Sequence, residues 1–228
     1  MMNSELVIFN RPKANISEDI RTIRTNLDFS LSEYEKKVIM ITSSLPTEGK
    51  SFISSNLATA ISQNGNKVLI IDCDLRRGRL HKIFEVSNTQ GLSNLISQYN
   101  QEIDVKSFLK QTDINKLYVL PRGVVPPNPS ELLSSSRFSS IIENLKQYFD
   151  YIILDSAPVN GLPDALILSN CADRVVIVTE YGKTSIDALA DTKKALENVS
   201  ANIAGVVINR IPKSKSKYVY YYYGEKEW

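Results

Sequence analysis

The chain has few of the features that stabilise small secreted domains or hold a protein in a membrane. Only two of its 228 residues are cysteines, Cys73 and Cys171, and its single histidine stands at no metal-ligand spacing from either. Such sparse cysteines favour reduced thiols in an intracellular protein. Apolar runs stop at four or five residues, whereas a membrane-spanning helix needs about 20. We therefore expect a soluble, cytoplasmic chain without a signal peptide or a membrane span.

A strong net charge is also absent. Lysine and arginine number 27 against 25 aspartates and glutamates, which gives a formal net charge of +2. This balance gives no electrostatic basis for binding nucleic acid, and we expect no nucleic-acid partner. The composition is 43% hydrophobic and 23% charged, which is ordinary for a globular protein and excludes wholesale disorder.

The apolar residues fall into short continuous runs separated by helical patterns. Continuous runs are typical of parallel strands covered on both faces, and their alternation with helices indicates βαβ units. The sequence therefore predicts an α/β fold with a mostly parallel sheet and helices on both faces. The predicted strands are residues 38–41, 68–71, 117–120, 151–154, 174–178 and 204–208, and the predicted helices are 51–64, 137–148 and 185–199. A further helix is predicted from an N-cap at Ser17 to Leu31, with Ile16, Ile20, Ile23 and Leu27 as its apolar stripe.

Residues 43–51 lie between the first predicted strand and the helix after it, and they end in Gly49-Lys50-Ser51. This is the end of a phosphate-binding loop: backbone N–H groups surround a polyphosphate, the lysine reaches its β- and γ-phosphates, and the serine hydroxyl binds Mg²⁺. Ser44 stands where the standard pattern has its first glycine. A bare Gly-Lys-Ser also occurs in ordinary turns before helices, but the strand and helix on either side favour the phosphate site.

Three carboxylates follow two other predicted strands. Asp72 and Asp74 come after the strand at 68–71, and Asp155 comes after the strand at 151–154, as in a Walker B motif. The carboxyl ends of parallel strands meet at one edge of the sheet, where α/β proteins bind their ligands. Each acid alone could be a helix N-cap or a solvated turn residue. Together with Lys50 they predict a site for ATP and Mg²⁺.

These motifs, in this order, resemble those of the bacterial protein-tyrosine kinases (BY-kinases) of capsule and exopolysaccharide export. The loop at 43–51 resembles the family's deviant Walker A, and Asp72-Cys73-Asp74-Leu75-Arg76 and Asp155-Ser156-Ala157-Pro158 resemble its Walker A′ and Walker B segments. Residues 126–133, Pro-Pro-Asn-Pro-Ser-Glu-Leu-Leu, and the pair Asn209-Arg210 also have counterparts. The resemblance covers nearly the whole chain and points to the separate cytoplasmic kinase of Gram-positive bacteria.

The resemblance implies a P-loop NTPase fold and a role for each matched residue. The catalytic residues it implies are Lys50, Asp72, Asp74 and Asp155, with Asp72 as the base that takes the proton of the attacking tyrosine. The Mg²⁺ ligands it implies are Ser51, Asp74 and Asp155. The residues implied for ATP are Thr47, Glu48, Gly49, Lys50, Ser51, Phe52, Asn209 and Arg210. Which acid touches the metal directly stays open.

Five of the eleven tyrosines lie within six residues near the C-terminus: Tyr218, Tyr220, Tyr221, Tyr222 and Tyr223. A run this dense is not explained by packing, and a membrane-interface anchor or a sticky edge strand is the alternative to a functional role. Under the resemblance, these tyrosines are the phosphate acceptors of an autokinase. Full modification would add a charge of about −10 to the tail.

The N-terminal helix carries Glu18, Arg21 and Arg24, which match the Glu-x-x-Arg-x-x-Arg motif through which the family assembles into rings. A ring would bring one protomer's tail to its neighbour's site, and phosphorylated tails would repel each other. The alternative is an intrahelical pair between Glu18 and Arg21, worth a few tenths of a kcal/mol.

The sequence thus predicts three parts: an N-terminal extension with an oligomerisation helix (1–36), a P-loop kinase core (37–212) and a tyrosine-cluster tail (213–228).

The partners implied are a membrane-spanning activator that recruits the kinase to the inner face of the membrane, copies of the chain in a ring, and a cognate tyrosine phosphatase. The predicted role is regulation of polysaccharide polymerisation and export. The alternatives are a switch ATPase of the ParA/MinD type, which carries a signature lysine where Leu45 stands, and a non-enzymatic adaptor, which the intact site residues disfavour.

Overall fold

A computed structural model describes residues 3–100 and 102–212, and a seven-stranded sheet forms their centre. The strand order is β3-β4-β2-β5-β1-β6-β7. The strands β1, β2, β4, β5, β6 and β7 pair in parallel, and the two-residue β3 is antiparallel to β4. The strands are β1 (Lys37–Ser43), β2 (Val68–Asp72), β3 (Lys110–Gln111), β4 (Leu117–Leu120), β5 (Tyr151–Asp155), β6 (Arg174–Glu180) and β7 (Ile203–Asn209).

The helices cover both faces of this sheet, which confirms the predicted fold class. They are α1 (Val7–Asn10), α2 (Asn15–Ser30), α3 (Lys50–Gln63), α4 (Leu80–Ile83), α5 (Leu92–Gln98), α6 (Pro129–Leu133), α7 (Ser136–Lys146), α8 (Asp164–Ser169) and α9 (Ile186–Asn198), with a 3₁₀ turn at Val105–Phe108. Within the described part of the chain, no helix has the length and apolar character needed to cross a membrane.

Two hydrophobic cores explain why the central strands are continuous apolar runs. In β1, Val38 and Met40 enter the core that includes α5, α7 and α8, whereas Ile39 and Ile41 enter the core that includes α2 and α3. Because successive side chains of a strand point to opposite faces, a strand covered on both sides needs apolar residues at every position. The edge strand β7 instead alternates half-buried and exposed residues.

The N-terminal helix begins earlier than the sequence predicts. Its N-cap is Ala14, so the prediction of an N-cap at Ser17 was wrong. Ser17 lies inside the helix, where its buried hydroxyl donates a hydrogen bond to the carbonyl oxygen of Arg11 at 2.8 Å. Ile20 and Leu27 enter the core with α3, as predicted for the apolar stripe, but Ile16 is 39% exposed.

The sheet order places the predicted site residues at one edge. Strand β5 lies between β2 and β1, and Asp155 at its end is in register with Asp72 of β2 and Ile41 of β1. The loop after β1, the turn after β2 and the end of β5 therefore meet at the carboxyl edge of three neighbouring strands.

Candidate nucleotide and phosphoryl-transfer site

The phosphate loop has a backbone conformation suited to wrapping an anion. Thr47 and Gly49 both have positive φ angles, 69° and 99°, and α3 begins at Lys50 directly after them. The left-handed φ of Gly49 favours glycine, and a Cβ atom there would lie 2.1 Å from Nδ2 of Asn209 and would displace that side chain. Lys50 is 8% exposed. The loop therefore presents backbone N–H groups and one ammonium at a helix N-terminus, as an anion site requires.

Glu48 has a role that sequence reasoning missed, because the sequence indicated only its backbone. Its fully buried carboxylate accepts hydrogen bonds from the N–H of Leu45, at 2.7 Å, and from the hydroxyl of Thr184. Its carbonyl oxygen accepts one from Nδ2 of Asn209 at 3.0 Å. Residues in the turn after β6 and at the end of β7 thus fix the loop's shape, and no local pattern in the loop encodes partners more than 130 positions away.

Asp155 lies beside the phosphate loop, as the Walker B pattern predicts. The hydroxyl of Ser54 donates a hydrogen bond of 2.9 Å to its Oδ1. Burial raises the pKa of Asp155 to about 6, although the Lys50 ammonium and the Ser51 and Ser54 hydroxyls act in the opposite direction. The carboxylate and Lys50 are therefore close enough for their charges to interact at the base of the site.

Asp72 is the most enclosed of the three acids. Its side chain is fully buried, and its Oδ2 accepts a hydrogen bond of 3.0 Å from the N–H of Leu80. Burial, together with the nearby charge of Asp155, raises the pKa of Asp72 well above its usual range. A Cβ atom on Gly78 would lie 2.1 Å from Oδ1 of Asp72, so only glycine lets the chain pass this close.

Asp74 is half-buried in the turn after β2 and lines the cleft. Its Oδ1 accepts hydrogen bonds from the N–H groups of Arg76, at 3.2 Å, and Arg77, at 2.8 Å. The backbone N–H groups of Cys73 and Asp74 donate to the carbonyl oxygen of Asp155 at 2.9 and 3.1 Å. These bonds extend the pairing of β2 with β5 and bring the three acids together.

The acids leave oxygen atoms that suit a divalent cation bound with a nucleotide. Oδ1 of Asp72 and Oδ2 of Asp155 are buried and have no hydrogen-bond partner among residues 3–100 and 102–212. The same residues contain no cluster of three His, Cys, Asp or Glu side chains able to hold a metal alone. Mg²⁺ at nucleotide sites uses one or two carboxylates, phosphate oxygens and water, so these residues fit it as a cofactor that arrives with ATP.

A cleft of about 1550 Å³ opens at the phosphate loop and at Asp74, whereas the buried Asp72 and Asp155 are not among its lining residues. Its lining includes the predicted nucleotide residues Thr47, Gly49, Lys50, Ser51, Phe52, Asn209 and Arg210, together with Asp74. Small-molecule sites usually measure about 300–1,000 Å³, so the cleft has room for a second group beside a nucleotide. Its lining also includes Ile16, Ile20 and Ile23 of α2 and the basic residues Arg76, Arg77 and Arg79.

The remaining predicted residues lie elsewhere. Glu18 and Arg21 form the intrahelical ion pair that was the alternative to an interface, and Arg21 also donates to the carbonyl oxygen of Pro12 at 2.9 Å. Arg24 donates to the carbonyl oxygen of Ala60 at 3.2 Å. The role of all three in assembly stays a prediction. The predicted acceptors Tyr218, Tyr220, Tyr221, Tyr222 and Tyr223 lie outside the described residues.

Comparison with known proteins places this geometry in a family. The AAA domain model matches residues 36–207. Putative tyrosine-protein kinase CapB of Staphylococcus aureus is 39% identical over 222 residues, which are 97% of this chain and 96% of that protein. The chain belongs to the bacterial tyrosine-protein kinases. Tyrosine-protein kinase YwqD of Bacillus subtilis (strain 168) is 37% identical over 99% of this kinase and 94% of its own length.

Some relatives of the kinase are much longer. Tyrosine-protein kinase ptk of Acinetobacter johnsonii is 38% identical over 201 residues, and the chain covers 27% of that protein. The same family therefore includes proteins in which this region is one part of a larger polypeptide.

Solved structures agree with the assignment. The chimerical protein CapA2B2 superposes with a TM-score of 0.86 at 37% identity, covering 93% of this kinase and 92% of that chain. The kinase domain of Escherichia coli tyrosine kinase ETK has a TM-score of 0.84 at 33% identity, covering 91% and 82%. Septum site-determining protein MinD of Pyrococcus horikoshii OT3, complexed with Mg-ADP, has a TM-score of 0.63 at 24% identity over 81% and 77%, which shows a shared fold alone.

Proposed function

We propose that this chain is an ATP- and Mg²⁺-dependent protein-tyrosine autokinase that phosphorylates its own C-terminal tyrosine cluster. The proposal is supported by the cleft, which is lined by both the phosphate loop and the turn that carries Asp74 and has room for a second substrate beside a nucleotide. A nucleotide hydrolase needs room only for water beside the γ-phosphate, whereas a kinase must admit a side chain. Membership of the tyrosine-protein kinase family supports the same choice of acceptor.

Phosphoryl transfer depends on positioning and on stabilising charge. Backbone N–H groups of residues 47–51 and the Lys50 ammonium would hold the β- and γ-phosphates, and Asn209 and Arg210, which also line the cleft, would contact the rest of the nucleotide. Ser51, Asp74 and Asp155 would hold Mg²⁺. When bound, the cation supplies positive charge that neutralises the phosphate oxygens as negative charge develops on the leaving group.

The tyrosine hydroxyl must lose its proton as it attacks. The bond formed joins the tyrosine oxygen to the γ-phosphorus, the bond broken joins that phosphorus to the bridging oxygen of ADP, and the proton passes to a carboxylate. Asp72 suits this role because its pKa lies well above its usual range, so it holds a proton more readily than an exposed aspartate. The acceptors are Tyr218, Tyr220, Tyr221, Tyr222 and Tyr223.

Reaction between copies in a ring fits the position of the N-terminal helix. Ile16, Asp19 and Ile20 of α2 form one wall of the cleft, so a neighbour that binds this helix would lie beside the site. Glu18, with 64% of its side chain exposed, and Arg21, with 30%, are available to such a neighbour. The assembly proposed is a ring held through Glu18, Arg21 and Arg24, in which each tail is phosphorylated by the adjacent copy.

Accumulated phosphates would then separate the copies and regulate capsular or exopolysaccharide polymerisation and export. The partners proposed with this role are a membrane-spanning activator that recruits the kinase to the inner face of the membrane, and a phosphatase that resets the tail. A change of about −10 in tail charge is large enough to dissociate an interface that contains exposed ion pairs.

A switch ATPase remains the second candidate, because the fold is shared with MinD. The loop argues against it. Leu45 stands at the position of the signature lysine, and its backbone N–H is bonded to Glu48.

Mass spectrometry of the tryptic peptide 218–226 tests the proposal. Purified protein is incubated with Mg-ATP, with and without the cytoplasmic segment of the activator, beside the variants Lys50→Met and Lys193→Met. Lys193 lies on the exposed side of α9 and serves as the matched control. We expect several phosphates on the wild-type and Lys193→Met peptides and none on Lys50→Met. An unmodified peptide in every sample that also releases ADP would favour the switch ATPase.

A further inference from the structure

A buried carboxylate lies beyond the nucleotide residues, at the first position of α8. The Asp164 side chain is fully buried, and its Oδ2 lies 2.9 Å from Nε of Arg76 in an ion pair. The hydroxyl of Ser130 donates a hydrogen bond of 2.6 Å to its Oδ1, and Nη2 of Arg76 reaches the same oxygen at 3.4 Å. Asp164 is therefore held by one cation and one hydroxyl from two distant segments.

Burying a carboxylate is unfavourable unless charge and hydrogen bonds compensate for the lost water. Here the compensation comes from three donor atoms, and Nη2 of Arg76 also donates to the Ser130 hydroxyl at 3.0 Å, which closes a triangle of contacts. The three side chains are separated by 54 and 88 positions along the chain. Ser130 belongs to the segment 126–133, for which the proposed phosphoryl transfer has no other use.

The triangle reaches the site through the backbone of Arg76. The N–H of Arg76 donates to Oδ1 of Asp74, and the carbonyl oxygen of Arg76 accepts a hydrogen bond of 2.9 Å from Nη1 of Arg122. Arg76 is thus fixed at its side chain, its amide and its carbonyl. Although Arg76 lines the cleft, its guanidinium is engaged by Asp164 and Ser130.

We infer that Asp164 and Ser130 are positioning residues that orient the Asp74 carboxylate for Mg²⁺ through Arg76. The inference rests on the proposed function, since it gives Asp74 its role at the metal. Asp74 uses Oδ1 to accept the N–H groups of Arg76 and Arg77, so the direction of its second oxygen follows the position of that turn. Loss of the anchor moves the turn and leaves the phosphate loop unchanged.

The effect of Mg²⁺ on nucleotide binding distinguishes a change in the Asp74 turn, which the proposed Mg²⁺ contacts, from a change in the phosphate loop. A fluorescent ADP analogue is titrated into wild type, Asp164→Asn and Asp187→Asn, first in EDTA and then at a series of Mg²⁺ concentrations. Asp187 is the matched control, because it is the acidic residue in the first turn of α9 and is exposed. For Asp164→Asn we expect an unchanged affinity for the ADP analogue in EDTA. The Mg²⁺ concentration that gives half of the maximal change in this affinity should rise about tenfold, the range found for residues that support metal ligands.

Two further variants guard against simple unfolding. Ser130→Ala removes one hydroxyl without removing a charge, so it should raise the Mg²⁺ requirement by less than Asp164→Asn does. Ser130→Thr keeps the hydroxyl and should have the Mg²⁺ requirement of the wild type. Hydrogen exchange of the peptide that spans residues 74–79 should increase in Ser130→Ala and Asp164→Asn while the amides of β1 and β5 stay protected.

Three results would overturn the inference: equal Mg²⁺ requirements for Asp164→Asn and Asp187→Asn, an equal loss of affinity in EDTA and in Mg²⁺, or no restoration by Ser130→Thr. The readout needs no phosphoryl transfer. If the wild type binds Mg-nucleotide but never phosphorylates a tyrosine, the proposed function fails while the positioning role is still measured.

Discussion

The two halves of the site differ in how completely the protein alone satisfies their polar groups. In the phosphate loop, the buried Glu48 carboxylate receives a backbone N–H and a hydroxyl, and Asn209 closes the loop from β7. At the acids, Asp72 and Asp155 each keep one buried oxygen without a partner among residues 3–100 and 102–212. The polar groups of the loop are paired without a ligand, whereas the unpaired oxygens of the acids fit the proposed cation, which would compensate their charge on binding.

This difference separates stability from function. A residue that completes the loop should contribute to both, because its removal leaves partners unsatisfied. A buried acid without a cation to compensate its charge should support function but lower the free energy of unfolding, as is common for active-site residues.

The largest effect is expected for Asp72→Asn. Asparagine still accepts the N–H of Leu80 but cannot take a proton from tyrosine, so phosphorylation should fall by about 10²–10⁴-fold. Because the substitution removes a buried acid whose pKa is raised by burial and by Asp155, the free energy of unfolding without nucleotide should rise by about 1 kcal/mol. Autophosphorylation rates and denaturant unfolding measure the two quantities. A variant that is both inactive and destabilised would contradict the comparison.

Glu48→Gln should change stability in the opposite direction. The amide can replace only one of the two hydrogen-bond acceptors that Leu45 and Thr184 use, so unfolding free energy should fall by about 1–3 kcal/mol. Nucleotide affinity in EDTA should fall with it, because the loop loses its fixed shape. Urea unfolding and titration with a nucleotide analogue test this, and an unchanged midpoint would show that the loop does not depend on Glu48.

A smaller effect is expected for Thr184→Val, which removes the hydroxyl that donates to Glu48 and accepts the N–H of Glu180. Stability should fall by about 1 kcal/mol. Thr184→Ser keeps the hydroxyl and serves as the control. Equal unfolding midpoints for the valine and serine variants would mean that the contact across the β6–α9 turn is not what holds the loop.

Much of this arrangement could be predicted from the sequence, since its signals are local. The continuous runs that became β1, β2, β5 and β6 and the Gly49-Lys50-Ser51 turn are each encoded within a few residues. Their meeting point follows from the rule that parallel strands align their carboxyl ends. The fold class and the neighbourhood of Lys50, Asp72, Asp74 and Asp155 therefore needed no long-range information.

The remaining features depend on contacts between distant segments. Glu48 reads as an ordinary loop residue until Thr184 is placed beside it, and the Arg76–Asp164–Ser130 triangle joins three segments with no shared local pattern. The predicted start of α2 is wrong because serine is a common N-cap residue type. In the structure the N-cap is Ala14, and the Ser17 hydroxyl donates a hydrogen bond to the carbonyl oxygen of Arg11. Hydrogen bonds between side chains far apart along the chain therefore could not be predicted from the sequence.

Transfer of the γ-phosphoryl group to tyrosine rather than to water is tested most directly by a phosphate balance in one reaction. Wild-type protein with Mg-ATP is quenched at early times, and the amounts of ADP, inorganic phosphate and phosphotyrosine are measured together. We expect phosphotyrosine and ADP to appear in equal amounts with little inorganic phosphate, because the γ-phosphoryl group goes to tyrosine. ADP matched by inorganic phosphate, with no phosphotyrosine, would contradict it.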